Sequence, residues 1–263
     1  MRVGVFDSGL GGLTIAKTIL RHSVGLDIIY LADTLNAPYG DKTTDEILRH
    51  SIDITQFLLK NYHIEALVVA CNTATSAAIE SLRELYPRLI IIGTEPALKP
   101  AFNISKTKRI GVLATFATLN GDKYRYLVNQ LSIDNDAMVY EQPCIGLVEQ
   151  IELGEIDTPK TMQMLEGYLS VMRDSGVDTI VLGCTHYPLI TDSIREIFQR
   201  EIAFTDSAMG VTNRLNAMLM QYNKMHKNEP SKIEILSTST ISKNMVESIV
   251  GESLNIKMVK LQD

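Results

Sequence analysis

Ile64-Glu65-Ala66-Leu67-Val68-Val69-Ala70-Cys71 is matched position for position by Val177-Asp178-Thr179-Ile180-Val181-Leu182-Gly183-Cys184. Both are short apolar runs rich in β-branched residues, the pattern of a strand covered on both faces. Both end on a cysteine. Working outward, Arg2-Val3-Gly4-Val5-Phe6 matches Arg109-Ile110-Gly111-Val112-Leu113, and Thr94-Glu95-Pro96-Ala97 is echoed by Thr205-Asp206-Ser207-Ala208. The separations are 107, 113 and 111 residues, so the elements follow one another in the same order in both halves. Two copies of one supersecondary unit are the simplest source of such a pattern.

Between these runs lie further strand-like segments at Asp27-Ala32, Leu89-Gly93, Ala137-Gln142 and Glu201-Thr205, with a last pair near Ile233-Leu236 and Ile256-Leu261. Segments of helical period alternate with them, as in the spacing of Ile47, Ile54, Phe57 and Leu58 and of Leu165, Leu169 and Met172. Strand and helix in alternation predict an α/β fold with parallel sheets. The repeat predicts two similar domains related by a pseudo-twofold axis, with the active site in the cleft between them. More than 50 residues follow Ser207 and have no counterpart in the first copy. We expect them to return to the first domain, giving a discontinuous domain of residues 1–98 plus 208–263 and a second of 99–207; the alternative is a small third unit.

A formal charge of −6 and a pI near 5.4 disfavour a nucleic-acid partner, which needs a basic face to neutralise phosphates. No apolar run approaches the roughly 20 residues of a membrane helix. Met1-Arg2 leads directly into a strand-like run, and we expect a cytoplasmic protein without a signal peptide. Three cysteines, Cys71, Cys144 and Cys184, are spaced for no zinc clip and predict free thiols and no metal site.

In an open parallel sheet, ligands bind at the carboxyl ends of the strands. Asp7-Ser8-Gly9, Cys71-Asn72-Thr73 and Cys184-Thr185-His186 all fall at that edge, as do Thr115 and Thr118 after Leu113 and the Pro38-Tyr39-Gly40 loop. If the two copies face each other, Cys71 and Cys184 approach the cleft from opposite sides. Inverting a carbon centre requires one group to remove a proton from one face and another to deliver one to the other face. Two like residues suit a reversible inversion, since each is base in one direction and acid in the other. A thiol, with an ordinary pKa of about 8.5, is tuned by a helix N-terminus or a nearby cation. His186 is placed to tune Cys184, and Asp7 to assist Cys71 or to hold a substrate ammonium group.

The run Val3 to Gly12, the Pro38-Tyr39-Gly40 loop, Ala70-Cys71-Asn72-Thr73-Ala74 and Gly183-Cys184-Thr185-His186-Tyr187-Pro188 resemble, in order, the signature segments of the glutamate racemases. The resemblance implies interconversion of L- and D-glutamate without pyridoxal phosphate or other cofactor, D-glutamate being destined for peptidoglycan, and a homodimer. It implies that Cys71 deprotonates the D-enantiomer with Asp7 assisting, and that Cys184 deprotonates the L-enantiomer with His186 and Glu149. Ser8, Pro38, Tyr39, Gly40, Asn72, Thr73, Thr115, Thr118, Thr185 and Asp7 would bind substrate. The chain departs from the family's pattern at Gly146, where proline is common, at Asn36, where a basic residue is common, and at Ala114, where glycine is usual. The change at Gly146 bears on Glu149, three residues on.

Other features read as ordinary structure. Gly9-Leu10-Gly11-Gly12 lacks the lysine of a phosphate loop and reads as a tight turn exposing amides beside Asp7. His22, His50, His63 and His226 read as surface residues, Cys144 as a core thiol, and the Met218 to Met225 stretch as helix packing. Two rival functions remain: a related thiol enzyme acting on aspartate, a hydantoin or maleate, and a two-lobed protein that binds an amino acid without changing it. The second has no need of paired thiols.

Overall fold

The computed structural model of the chain describes residues 1–222, 229–252 and 254–261. It divides into two compact units, Met1–Thr94 with Ala208–Asp263, and Glu95–Ser207. In the first, β1 (Arg2–Asp7), α1 (Leu13–His22), β2 (Asp27–Ala32), α2 (Thr44–Tyr62), β3 (Ala66–Val69), α3 (Asn72–Leu85) and β4 (Ile90–Gly93) alternate as expected. The second unit contains α4 (Leu98–Ile104), β5 (Arg109–Ala114), α5 (Phe116–Leu119), α6 (Asp122–Asn135), β6 (Met138–Pro143), α7 (Leu147–Glu152), α8 (Pro159–Asp174), β7 (Thr179–Leu182), α9 (Thr191–Phe198) and β8 (Ala203–Thr205). The chain then returns to the first unit with α10 (Ala208–Gln221), β9 (Lys232–Ser237), α11 (Lys243–Val250) and β10 (Ile256–Met258).

Both sheets are wholly parallel. The first has strand order β10-β9-β2-β1-β3-β4 and the second β6-β5-β7-β8. The sequence repeat is therefore also a repeat of topology, the order β2-β1-β3-β4 being matched by β6-β5-β7-β8. Register agrees as well: Val3 stands beside Ala66 and Phe6 beside Val69, as Ile110 stands beside Thr179 and Leu113 beside Leu182. The late strands have no counterpart because they extend only the first sheet, β9 pairing with β2 and β10 with β9.

Every residue of β3 and β7 is buried, and all but Thr179 are apolar, as suits a parallel strand covered on both faces. In the first unit Phe6, Leu31, Leu67 and Val69 of the sheet pack with Ile54 and Leu58 of α2 and with Leu82 of α3. In the second, one core gathers Leu113, Ile180 and Leu182 with Leu165, Leu169 and Met172 of α8, and another gathers Ile110 and Val112 with Phe102, Tyr124 and Val128. Local signals set the helix starts. Thr43 and Glu46 form a reciprocal capping box on α2, and Thr158 caps α8 ahead of a proline in its first turn.

Some expectations differ in detail. Residues 95–98 group with the second unit because Leu98 packs with Phe102 and Ile110, Ser207 Oγ donates to Glu95 O at 2.6 Å, and Thr205 Oγ1 donates to Ala97 O at 3.0 Å. Strand β8 begins at Ala203 rather than Glu201, where Ala203 N donates to Asp178 O just ahead of β7. Strand β10 ends at Met258 rather than Leu261, although Val259 N still donates to Ser237 O at 2.9 Å. Met225 and His226 lie outside the described residues. Among the described residues no helix is long and apolar enough to cross a membrane, and no group of three or more His, Cys, Asp or Glu side chains could hold a metal ion.

Candidate active site

In the first unit, β1 delivers Asp7 and β3 delivers Cys71 to neighbouring positions at the carboxyl edge of the sheet. Asp7 is fully buried, and its Oδ2 accepts from Gly9 N at 3.2 Å and Gly12 N at 3.0 Å. The glycine turn thus uses these two amides to hold its own aspartate, which corrects the expectation that it exposes them. Gly12 has an ordinary helical φ of −61°, so its need for glycine is steric: a Cβ there would lie 2.6 Å from Asp7 Cβ and 3.0 Å from both Ala70 Cβ and Tyr30 Oη. Tyr30 Oη donates to Gly9 O at 2.6 Å and fixes the turn from below.

Cys71 is the N-cap of α3, its Sγ accepting from Ala74 N at 3.4 Å. The sulfur therefore sits at the positive end of a 14-residue helix. Ser8 Oγ lies 3.8 Å from it. Asn72 and Thr73, in the first turn of the same helix, are buried, and Asn72 Oδ1 has no hydrogen-bond partner among the described residues. A buried, unsatisfied side-chain oxygen is uncommon and calls for an explanation. The Pro38-Tyr39-Gly40 loop leads into a single 3₁₀ turn, Tyr39–Asp41, and Tyr39 is buried with its Oη donating to Asp33 Oδ2 at 2.6 Å. Burial, then the charges of Asp33, Cys71 and Asp7, hold the Tyr39 phenol well above its usual value, so it remains a donor. His50 is no isolated surface residue, since its ring stacks on Tyr39 with centroids 5.9 Å apart.

The second unit repeats the strand ends with different neighbours. Cys184 follows β7 across Gly183, whose N donates to Leu113 O at 2.7 Å. A Cβ on Gly183 would come within 2.9 Å of that same oxygen, so the approach of β7 to β5 requires glycine. Cys184 caps no helix; a 3₁₀ turn, Tyr187–Ile190, follows instead. In place of a helix terminus it has His186, buried, with Nδ1 3.7 Å from Cys184 Sγ and Nε2 2.5 Å from Glu152 Oε1. Burial pulls an imidazolium down, but the hydrogen bonds and charges of Cys184 and Glu152 outweigh it and hold His186 well above the usual histidine range. Both ring nitrogens are then donors.

The carboxylate that reaches His186 is Glu152 and not Glu149. Gly146, at φ +82°, starts α7 in a left-handed conformation that glycine tolerates, and the helix buries Leu147, Val148 and Ile151. This phase leaves Glu149 half-buried, where its charge acts on Tyr168, and sets Glu152 on His186. Spacing alone did not choose between the two glutamates, since i and i+3 lie on one side of a helix. Thr115 and Thr118 lie together after β5, with hydroxyls 2.9 Å apart and Thr118 N donating to Thr115 Oγ1 at 3.3 Å. Thr185 is buried beside Cys184. Cys144 is buried among apolar groups, burial pushes its thiol far up, and its Sγ donates to Gln142 O at 3.6 Å. The structure thus gathers Asp7, Ser8, Tyr39, Cys71, Asn72 and Thr73 in one unit, and Thr115, Thr118, Cys184, Thr185 and His186 in the other.

Comparison with known proteins places the chain in a family. The chain matches the model of the Asp/Glu/Hydantoin racemase family over residues 15–209. It is 50% identical to a glutamate racemase of a Sulfurovum species over 262 residues, covering 100% of this chain and 98% of the relative. Among solved structures, a glutamate racemase isoform of Bacillus anthracis superposes with a TM-score of 0.86 at 29% identity, covering 98% of this chain and 97% of that one. The glutamate racemase of Francisella tularensis, solved in complex with D-glutamate, superposes with a TM-score of 0.84 at 27% identity, covering 99% and 98%. With two cysteines ending equivalent strands and a near relative matched from end to end, the chain belongs to the Asp/Glu/Hydantoin racemase family.

Proposed function

We propose that this protein is a glutamate racemase that inverts the α-carbon by two-base proton transfer, Cys71 serving one face and Cys184 the other. The observation that carries the reading is the placement of two cysteines after β3 and β7, strands equivalent in sequence, order and register. The D-glutamate bound by the Francisella relative, and the name of the Sulfurovum relative, support glutamate as substrate.

In this mechanism Cys71, as thiolate, takes the Cα proton of D-glutamate while the Cys184 thiol delivers a proton to the opposite face. In the reverse direction the roles exchange. Negative charge on Cys71 is stabilised by Ala74 N–H and the N-terminus of α3, and on Cys184 by the protonated His186 that Glu152 holds. Glu152 takes the part that the family resemblance implies for Glu149. Asp7 assists Cys71, and Asn72 Oδ1, an acceptor in need of a donor, suits the substrate ammonium group. Ser8, Thr73, Thr115, Thr118 and Thr185 bind the remaining polar groups, together with the backbone of the Pro38-Tyr39-Gly40 loop. The reaction needs no cofactor. The product supplies peptidoglycan synthesis in the cytoplasm, and the working form is a homodimer.

The test is circular dichroism of L- and D-glutamate with the purified protein in heavy water, without added pyridoxal phosphate. Racemisation with deuterium at Cα is expected, and Cys71→Ala or Cys184→Ala should each lower it by about 10³-fold or more. Turnover of aspartate but not glutamate would remove the substrate assignment. Full activity in either cysteine variant would remove the two-base mechanism.

A further inference from the structure

Asp33 stands immediately after β2 and is fully buried. A carboxylate removed from water is costly unless donors satisfy it, and here they surround it. Tyr39 Oη donates to Oδ2 at 2.6 Å, Asn36 Nδ2 to both oxygens at 3.1 Å, and Thr238 Oγ1 to Oδ1 at 2.9 Å. Its own N donates to Asp7 O at 2.9 Å, continuing the β1–β2 ladder. Two of these side-chain donors come from the loop that carries Pro38-Tyr39-Gly40, and the third comes from the exit of β9, 205 residues away in sequence.

That exit is bound to the same loop at several further points. Thr238 Oγ1 also accepts from Leu35 N at 3.0 Å, Thr34 Oγ1 lies 2.9 Å from Ser237 Oγ, and Ser239 N donates to Thr34 Oγ1 at 3.2 Å. The backbone of Thr238 is itself fixed, its N donating to Ala32 O at 3.0 Å. The Tyr39 ring is held from the other side by His50 of α2.

We propose that Asp33 and Thr238 are positioning residues for substrate binding. Residues 237–239 form a strap that, through Asp33, sets the place of Tyr39 and of the loop around it. The inference rests on the reading of Pro38-Tyr39-Gly40 as a substrate-binding loop. It assigns the Tyr39 phenol to holding that loop, because its proton is committed to Asp33.

Thr238→Val keeps the shape and removes both hydrogen bonds of the hydroxyl, whereas Thr238→Ser keeps them. Thr238→Val should raise KM for glutamate about three- to tenfold, the effect of losing about 1 kcal/mol of hydrogen bonding, with kcat within about twofold. Thr238→Ser should stay within about twofold of wild type in both. Hydrogen exchange of the amides in residues 34–40 should quicken in Thr238→Val and not in Thr238→Ser. Unchanged KM together with unchanged exchange in Thr238→Val would overturn the strap, as would equal impairment of the two variants or a fall in kcat at constant KM. If the wild-type protein does not racemise glutamate, the functional reading fails, and the exchange measurement still decides whether residues 237–239 hold the loop.

Discussion

His186 Nε2 lies 2.5 Å from Glu152 Oε1 while the other ring nitrogen faces Cys184 Sγ at 3.7 Å. The same imidazole is thus held by a carboxylate on one side and bears on a sulfur on the other. The hydrogen bonds and charges of Cys184 and Glu152 raise the histidine and so favour its charged form. Its contribution to stability is full below the unfolded histidine value of about 6.5 and is lost as the pH rises through the raised folded value.

Glu152→Gln should lower the pH at which His186 titrates, read from its ring signals by NMR, and should reduce kcat by about tenfold or more in the direction that uses Cys184 as base. Glu149→Gln should leave the His186 titration where it is. The reverse ranking of the two variants would return the role to Glu149.

Cys144 should resist iodoacetamide in the folded protein, since burial both shields its thiol and opposes ionisation. Mass spectrometry of labelled peptides checks this, with labelling of Cys144 expected only after denaturant is added.

Gly12→Ala should destabilise the protein by about 1–3 kcal/mol, the cost of overpacking, because the new methyl would meet Asp7 and Ala70. Activity should fall further than stability, since the displaced group is Asp7. Urea unfolding and steady-state rates separate the two effects.

Asp178 gives a prediction with a pH window. Burial raises its carboxyl, but hydrogen bonds from Ser105, Thr107 N, Lys106 N and Thr179 outweigh that and hold it below the usual range. The folded value is depressed, so the stability it confers is present above the unfolded value of about 3.9 and is lost as the pH falls through the folded value. Asp178→Asn should cost about 1 kcal/mol at pH 7, allowing for solvent screening, and the difference from wild type should shrink toward pH 2 in urea unfolding.

Much of this architecture was legible because parallel strands buried on both faces write themselves as apolar runs, and because two such runs end alike at Cys71 and Cys184. His186 was legible by its place two residues after Cys184. Glu152 was not, since its contact depends on the phase of α7, which Gly146 sets through a backbone conformation that residue spacing does not reveal. Asp33 was not singled out either. In Ala32-Asp33-Thr34 it reads as an ordinary loop aspartate, and its weight comes from Thr238, a partner that only the pairing of β9 with β2 brings near.

The insertion of Glu95–Ser207 between the two parts of the first unit bears on synthesis. On the ribosome, the second sheet is complete once Ser207 has emerged, whereas β2 then still presents an open edge that only Lys232–Ser237 will fill. The unit that begins earlier is the one that finishes later, against the usual amino-first order of domain folding. The hydroxyl of Thr238 arrives with that closing strand, so the loop around Tyr39 is fastened only after the second unit has been made.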